Sequence, residues 1–108
     1  MDRDGSLDTL LLYGREGCHL CDDAHEVLTA LLERRSGAGL AAPAIRLVDI
    51  DDDAAAHDAF HATIPVIAWG DRRLELATSA SAIGRFLEEA LDQHGPAVLP
   101  AEDRGGVR

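Results

Sequence analysis

The sequence predicts one α/β domain with the element order βαβαββα, a four-stranded mixed sheet with helices on both faces. Two segments carry apolar residues at helical spacing, and short β-prone runs lie on either side of the first of them. The last two β-prone runs are separated by only two turn residues, so the chain makes a hairpin there rather than another crossover. The 108 residues, 46% of them hydrophobic, are enough for one core and too few for two.

The first strand and the first helix follow from the pattern of apolar residues near the N-terminus. Residues 9–13 form a continuous apolar run that ends at Gly14, which is typical of a central strand buried on both faces. From Leu20 apolar residues recur at steps of three and four, which predicts a helix that reaches about Arg35 and ends before Gly37. The predicted inward stripe of this helix is Leu20, Ala24, Val27, Leu28, Leu31 and Leu32.

A second strand and a short helix come next. Residues 44–50 are β-prone and lie between a proline and an aspartate cluster, which predicts a strand. Because a helix connects it to the first strand, we expect the two strands to be parallel. Residues 54–61 are rich in alanine and follow the capping candidates of residues 51–53, so they predict a short helix.

The predicted hairpin consists of residues 66–69 and 72–76, and its turn is the dipeptide Gly70-Asp71. Its strands are antiparallel. The hairpin takes the place of a second crossover, and no glycine-rich phosphate loop follows the first strand. Both features argue against a doubly wound nucleotide-binding fold.

A last helix is predicted near the C-terminus, with Ser79 or Ser81 as its cap and Gly95-Pro96 as its stop. Its apolar stripe is Ile83, Phe86, Leu87, Ala90 and Leu91.

The composition of the chain indicates where the domain begins and ends, where the protein is located and which classes of partner are disfavoured. We expect the domain over residues 8–94, a flexible N-terminus over 1–7 and a disordered tail over 95–108, since both ends lack a hydrophobic period. The N-terminus is acidic where a secretory signal is basic, so a cytoplasmic location is expected. The net charge of -10 repels polyanions, which argues against nucleic acid and anionic membranes as partners.

Cys18 and Cys21 lie between the first predicted strand and the first predicted helix. A thiol at the start of a helix meets unpaired backbone N–H groups and the positive end of the helix dipole, which favour thiolate over thiol. Cys18 is therefore the predicted nucleophile. Cys21, three residues later and more buried, is the predicted resolving thiol. In a cytosolic chain this spacing and context indicate a thioredoxin-type redox motif.

Two other interpretations of the cysteine pair stay open. His25 continues the spacing of the cysteines, but a structural zinc site needs a fourth ligand, which His57 or His61 would have to supply. We therefore expect no metal. The other alternative is a non-catalytic module that binds partners and whose cysteines form a redox-responsive disulfide, since spacing does not measure turnover.

Residues 13–21, Tyr-Gly-Arg-Glu-Gly-Cys-His-Leu-Cys, resemble glutaredoxin-like proteins of the thioredoxin superfamily, and Thr-Ile-Pro-Val at 63–66 resembles their second signature. The resemblance covers residues 8–92 and implies a thioredoxin-like fold and thiol–disulfide oxidoreductase activity. It further implies that Pro65 is cis and lies beside the nucleophile, so that Ile64 and Pro65 form part of a substrate platform.

Arg15 and His19 are the other candidate substrate-binding residues. Arg15 is the cation nearest to the motif in sequence and a partner for a substrate carboxylate, whereas His19 favours the Cys18 thiolate when it is protonated. We expect a monomer without a bound cofactor, a protein or low-molecular-weight disulfide as substrate, and glutathione or a reductase as electron donor. Residues 77–81 lack the glycine pair and aspartate with which glutaredoxins hold glutathione.

Overall fold

A computed structural model of the chain describes residues 9–92 and has the predicted element order. The strands are β1 (Thr9–Gly14), β2 (Ala44–Asp49), β3 (Val66–Trp69) and β4 (Arg72–Leu74), and the helices are α1 (His19–Gly37), α2 (Ala54–Phe60) and α3 (Ala80–Leu87). A 3-10 turn follows β2 at Ile50–Asp52, and a wider helical turn, Glu88–Asp92, extends α3. The predicted flexible N-terminus, disordered tail and Gly95-Pro96 stop lie outside the described residues.

The four strands form one mixed sheet in the order β2-β1-β3-β4. β1 is parallel to β2 and antiparallel to β3, and β3 is antiparallel to β4, so the predicted α/β class with a central first strand is confirmed.

The prediction that β1 is buried on both faces is wrong for one face. Leu10 and Leu12 are buried, but Leu11 and Tyr13 on the other face are half-buried, because the seven-residue α2 covers less of the sheet than α1.

Two hydrophobic clusters, one on each face, make the core. The larger lies between the sheet and the pair α1 and α3, and its buried members are Leu10, Leu12, Ala24, Leu28, Leu32, Ile67, Ala77, Ile83, Phe86, Leu87 and Ala90. The smaller lies beneath α2 and contains Ile50, Ala56, Phe60 and Val66, with Tyr13 and Ile64 packed against it. Because this smaller cluster lies where β1 ends and β3 begins, it supports the segments on either side of the cysteine motif.

The buried stripe of α1 differs from the prediction at both ends. It consists of Cys21, Ala24, Leu28, Leu32 and Arg35, a spacing of three and four that places Cys21 inward. The prediction that Leu20 belongs to this stripe is wrong, since its side chain is 52% exposed. One residue is 100° of helix, so an inward Cys21 turns Leu20 toward solvent.

The helix starts and the hairpin turn have the predicted chemistry. The Asp53 carboxylate accepts from the Ala56 N–H at 3.0 Å and the Ser79 hydroxyl from the Ala82 N–H at 3.1 Å, so these residues cap α2 and α3. Gly70 has a φ of 63°, which the tight turn between β3 and β4 requires. Within residues 9–92, no helix has the length and apolar character needed to cross a bilayer.

Arg35, in the last turn of α1, is a charged residue buried to 8% exposure. Its guanidinium donates to the Ala41 carbonyl at 2.6 Å and to both carboxylate oxygens of Asp92 at 2.5 and 3.1 Å. The pKa of Asp92 is lowered chiefly by the hydrogen bond from Arg35. This pair joins the end of α1 to the turn that follows α3.

We predict that Asp92→Asn lowers the free energy of unfolding by about 1–2 kcal/mol at neutral pH, because it removes a charged acceptor from a buried guanidinium. A lowered carboxyl pKa gives stability that is present above the ordinary aspartate pKa and lost as the pH falls through the lowered value. The difference between parent and variant therefore shrinks in acid. Denaturant unfolding at neutral and acidic pH measures it, with Glu89→Gln as the control. An equal difference at both pH values would contradict the assignment.

Candidate functional site

The two cysteines lie at the start of α1. Cys18 is the N-cap residue, with extended backbone, and its Sγ accepts a hydrogen bond from the Cys21 N–H at 3.1 Å. The Cα atoms of Cys18 and Cys21 are 5.2 Å apart and the two sulfurs are joined in a disulfide. A sulfur therefore occupies the capping position at which serine or aspartate usually satisfies the first free N–H groups.

The two sulfurs differ in their access to solvent. Cys18 is half-buried, whereas Cys21 is 7% exposed and belongs to the inward stripe of α1. A reagent in solution therefore reaches Cys18 more readily than Cys21.

Gly14, the last residue of β1, lies directly against the buried cysteine. A Cβ atom at Gly14 would be 3.0 Å from Cys21 Cβ and 3.1 Å from Cys21 Sγ, closer than side chains normally approach. The absence of a side chain at Gly14 is what lets the first turn of α1 settle on the end of the sheet.

The predicted substrate platform is at this same end of the sheet. Val66 is paired with Tyr13, so Pro65 and Ile64 lie beside the point where β1 leads into the cysteine motif. The Ile64–Pro65 peptide bond is cis, Pro65 is buried, and Ile64 packs against the smaller hydrophobic cluster. The structure thus places Ile64 and Pro65 at the cysteine end of the sheet, and their contact with a substrate stays a prediction.

The prediction that the last strand continues to Leu76 is wrong, since β4 ends at Leu74. Leu76 is instead bound through its backbone to the predicted substrate platform. Its N–H donates to the Thr63 carbonyl and the next N–H, of Ala77, donates to the Pro65 carbonyl, both at 2.8 Å. Leu76 has a φ of 51°, a left-handed conformation that costs a residue other than glycine about 1–3 kcal/mol. Neither spacing nor hydropathy signals such a residue.

Arg15 and His19, the other two predicted substrate-binding residues, differ in their surroundings. The Arg15 guanidinium binds both carboxylate oxygens of Asp51, at 2.8 and 3.3 Å, so its charge is shared with a carboxylate of the chain itself. His19, the first residue of α1, is exposed. Substrate contacts by these two residues stay predictions.

A cleft of about 310 Å³ opens between the ends of β1 and β2 and the first turns of α1. It is lined by Leu12, Gly14, Arg15, Glu16, Cys21, Asp22, His25, Leu47, Val48 and Asp49.

Within residues 9–92, no three His, Cys, Asp or Glu side chains are grouped so that they could hold a metal ion. His57 in α2 and His61, the residue after its end, stack on each other at 5.3 Å between ring centroids.

Comparison with known proteins gives a family and a solved structure. A family model described as Glutaredoxin-like domain (DUF836) matches residues 9–94. The chain is similar to the X-ray structure of the Northeast Structural Genomics target protein XcR50 from X. campestris, with 36% identity, a TM-score of 0.60, and coverage of 75% of this chain and 97% of that chain. The solution structure of that target gives 35% identity, a TM-score of 0.57, and coverage of 75% and 94%. A comparison with curated proteins found no match. The predicted family resemblance and the thioredoxin-like fold are confirmed.

We predict that Gly14→Ala lowers the free energy of unfolding by about 1–3 kcal/mol, because the new methyl group overpacks the Cys21 side chain. Gly84→Ala is the matched control. An added Cβ at Gly84, inside α3, meets nothing within 4 Å, so that variant gains about 0.5–1 kcal/mol from helix propensity. Denaturant unfolding of both variants measures the contrast, and equal stability of Gly14→Ala and the parent would refute the packing argument.

Proposed function

We propose, because the chain belongs to the glutaredoxin-like domain family, that it is a thiol–disulfide oxidoreductase in which Cys18 is the nucleophile and Cys21 the resolving thiol. One observation carries the proposal: the more accessible sulfur of the pair, that of Cys18, caps α1 and accepts the Cys21 N–H at 3.1 Å. That N–H donor and the positive end of the helix dipole stabilise negative charge on this sulfur when the pair is reduced.

The proposed reaction has two exchange steps. The Cys18 thiolate attacks one sulfur of a substrate disulfide, which forms a mixed disulfide and releases the other substrate sulfur as a thiolate that takes up a proton. The Cys21 thiol then loses its proton and attacks Cys18 Sγ, so that the Cys18–Cys21 disulfide forms and the second substrate thiol leaves. Two electrons pass from the dithiol to the substrate.

The Cys18–Cys21 disulfide must be reduced before another turnover. We propose glutathione or a reductase as the electron donor, with no resident cofactor, and a monomer that works in the cytoplasm, where thiols are kept reduced. Cys21 has little exposed surface, so the donor attacks Cys18 and releases Cys21. Reduction of the oxidised protein by glutathione, compared with a thioredoxin reductase system, identifies the donor.

Cys18→Ser is expected to abolish disulfide reduction, because the hydroxyl is not ionised and does not attack sulfur. Cys21→Ser is expected to keep the first exchange step and to stop there, since no resolving thiol is present. Reduction of a small disulfide, followed by mass spectrometry of the protein, distinguishes the two variants: only Cys21→Ser accumulates a mixed disulfide.

The same experiment separates an enzyme from a binding module. If both variants reduced the small disulfide as fast as the parent, the roles of Cys18 and Cys21 would be wrong. If the parent formed its own disulfide but did not turn over any disulfide substrate, the proposal of an enzyme would give way to a redox-responsive binding module.

In the reduced protein, iodoacetamide is expected to label Cys18 well before Cys21, because Cys18 is the half-exposed cap and Cys21 is buried. Peptide mass spectrometry at several labelling times follows each residue. Unfolding the protein in denaturant provides the control, since the two rates should then converge. Faster labelling of Cys21 in the folded protein would reverse the proposed roles.

A further inference from the structure

Leu76 combines two features that do not help the isolated domain fold. Its φ of 51° lies in the left-handed region, where glycine would carry no steric cost, and its side chain is 56% exposed. Within residues 9–92 every other residue with a positive φ is a glycine, at positions 17, 39 and 70. The stability of the fold therefore does not explain a leucine at this position.

The backbone of Leu76 is held in place on both sides. Its N–H donates to the Thr63 carbonyl and its own carbonyl accepts from the Thr78 N–H, each at 2.8 Å. The Ala77 N–H donates to the Pro65 carbonyl at the same distance, and Ala77 is fully buried. These contacts fix the backbone of Leu76 beside residues 63–65, and with it the direction in which its Cα–Cβ bond leaves the chain.

A second exposed leucine lies in the cysteine motif itself. Leu20 is between the two cysteines in sequence, and its position in the first turn of α1 turns it to solvent. We name Leu20 and Leu76 together the leucine rim. Leu76 is bonded to the segment before β3, and that segment and the cysteines lie at the same end of the sheet, so both leucines are at the end that carries Cys18.

The charges around this end of the sheet disfavour a small anionic substrate such as glutathione disulfide. The cleft beside Cys21 is lined by carboxylates from Glu16, Asp22 and Asp49. Arg15 is bound to Asp51, and Arg73, on the strand that leads to Leu76, pairs with Glu75 at 3.3 Å. Like charges brought together on binding cost affinity, whereas an uncharged apolar side chain meets no such repulsion.

We propose that Leu76 is a specificity-determining residue that selects polypeptide disulfides with an apolar side chain next to the reacting cysteine. The inference rests on the proposed function and assigns a substrate class to the same site. The apolar side chain of the substrate packs against Leu76 while Cys18 attacks the neighbouring sulfur by the exchange steps given above. Leu76 touches no reacting atom, so it acts on substrate binding and leaves the rate of sulfur exchange unchanged.

The test uses two short neutral peptides, each a disulfide-linked dimer, that differ only in a leucine or a serine next to the cysteine. The prereduced protein is mixed with each peptide, and the single-turnover rate is followed as a function of peptide concentration. For the parent we expect the leucine peptide to reach half-saturation at about a tenfold lower concentration than the serine peptide, with similar limiting rates.

Two variants of Leu76 separate the side chain from the backbone strain. Leu76→Ala removes the apolar group and keeps a residue with a Cβ at positive φ, whereas Leu76→Gly also removes the strain. In both variants we expect the two peptides to have nearly equal half-saturating concentrations, with limiting rates that stay unchanged. Leu76→Gly is also expected to raise the denaturation midpoint, so its loss of preference does not come from unfolding. Leu40→Ala, an exposed leucine in the loop at the opposite end of β1, is the control and keeps the preference.

The outcomes separate this inference from the proposed function. If the parent reduces both peptides and Leu76→Ala keeps the full preference, or if the parent shows no preference, the role of Leu76 is overturned while the oxidoreductase stands. If the parent reduces the small disulfide but neither peptide, the role of Leu76 is likewise overturned while the oxidoreductase stands. If the parent reduces no disulfide at all, the proposed function fails and the inference fails with it.

Discussion

The packing of the Cys21 side chain against the bare backbone of Gly14 is the constraint on which the site depends. Gly14 ends β1 in register with Asp49 of β2, so its position is set by the sheet. Contact with Gly14 then fixes the first turn of α1, and with it the position of Cys18 as the helix cap. A larger residue at position 14 would push the helix start away from the sheet and move both sulfurs together.

The other parts of the proposed site lie at the same end of the sheet as Gly14 and the cysteines. β3 runs antiparallel to β1, so its first residues meet the last residues of β1, and the segment before β3 carries Ile64 and Pro65. The chain returns through β4 and crosses back over this segment with the hydrogen bonds of Leu76 and Ala77. Ile64 of the predicted substrate platform packs against the smaller hydrophobic cluster, and the cysteine motif begins a helix, so both parts of the proposed site are held by rigid elements.

The tertiary structure decides which charged side chains of the site pair with each other, and the composition alone does not show these pairs. The excess of acidic residues is plain in the sequence, yet the sequence does not show that Arg15 meets Asp51, which is 36 positions away. That contact exists because β1 and β2 are parallel neighbours and their carboxyl ends lie side by side. Likewise Arg35, which looks like an ordinary basic residue near a helix end, is buried because the turn after α3 brings Asp92 to it.

The order of the elements, the central place of the first strand and the position of the cysteine pair at the start of a helix could all be predicted from the amino-acid sequence. These features follow from hydrophobic period, turn dipeptides and capping residues, all of which act within a few neighbouring positions. The exposure of Leu20 and the left-handed conformation of Leu76 beside Pro65 are seen only in the folded structure. Both outcomes depend on contacts between segments far apart in the chain, and local periodicity contains no information about which segment will lie opposite.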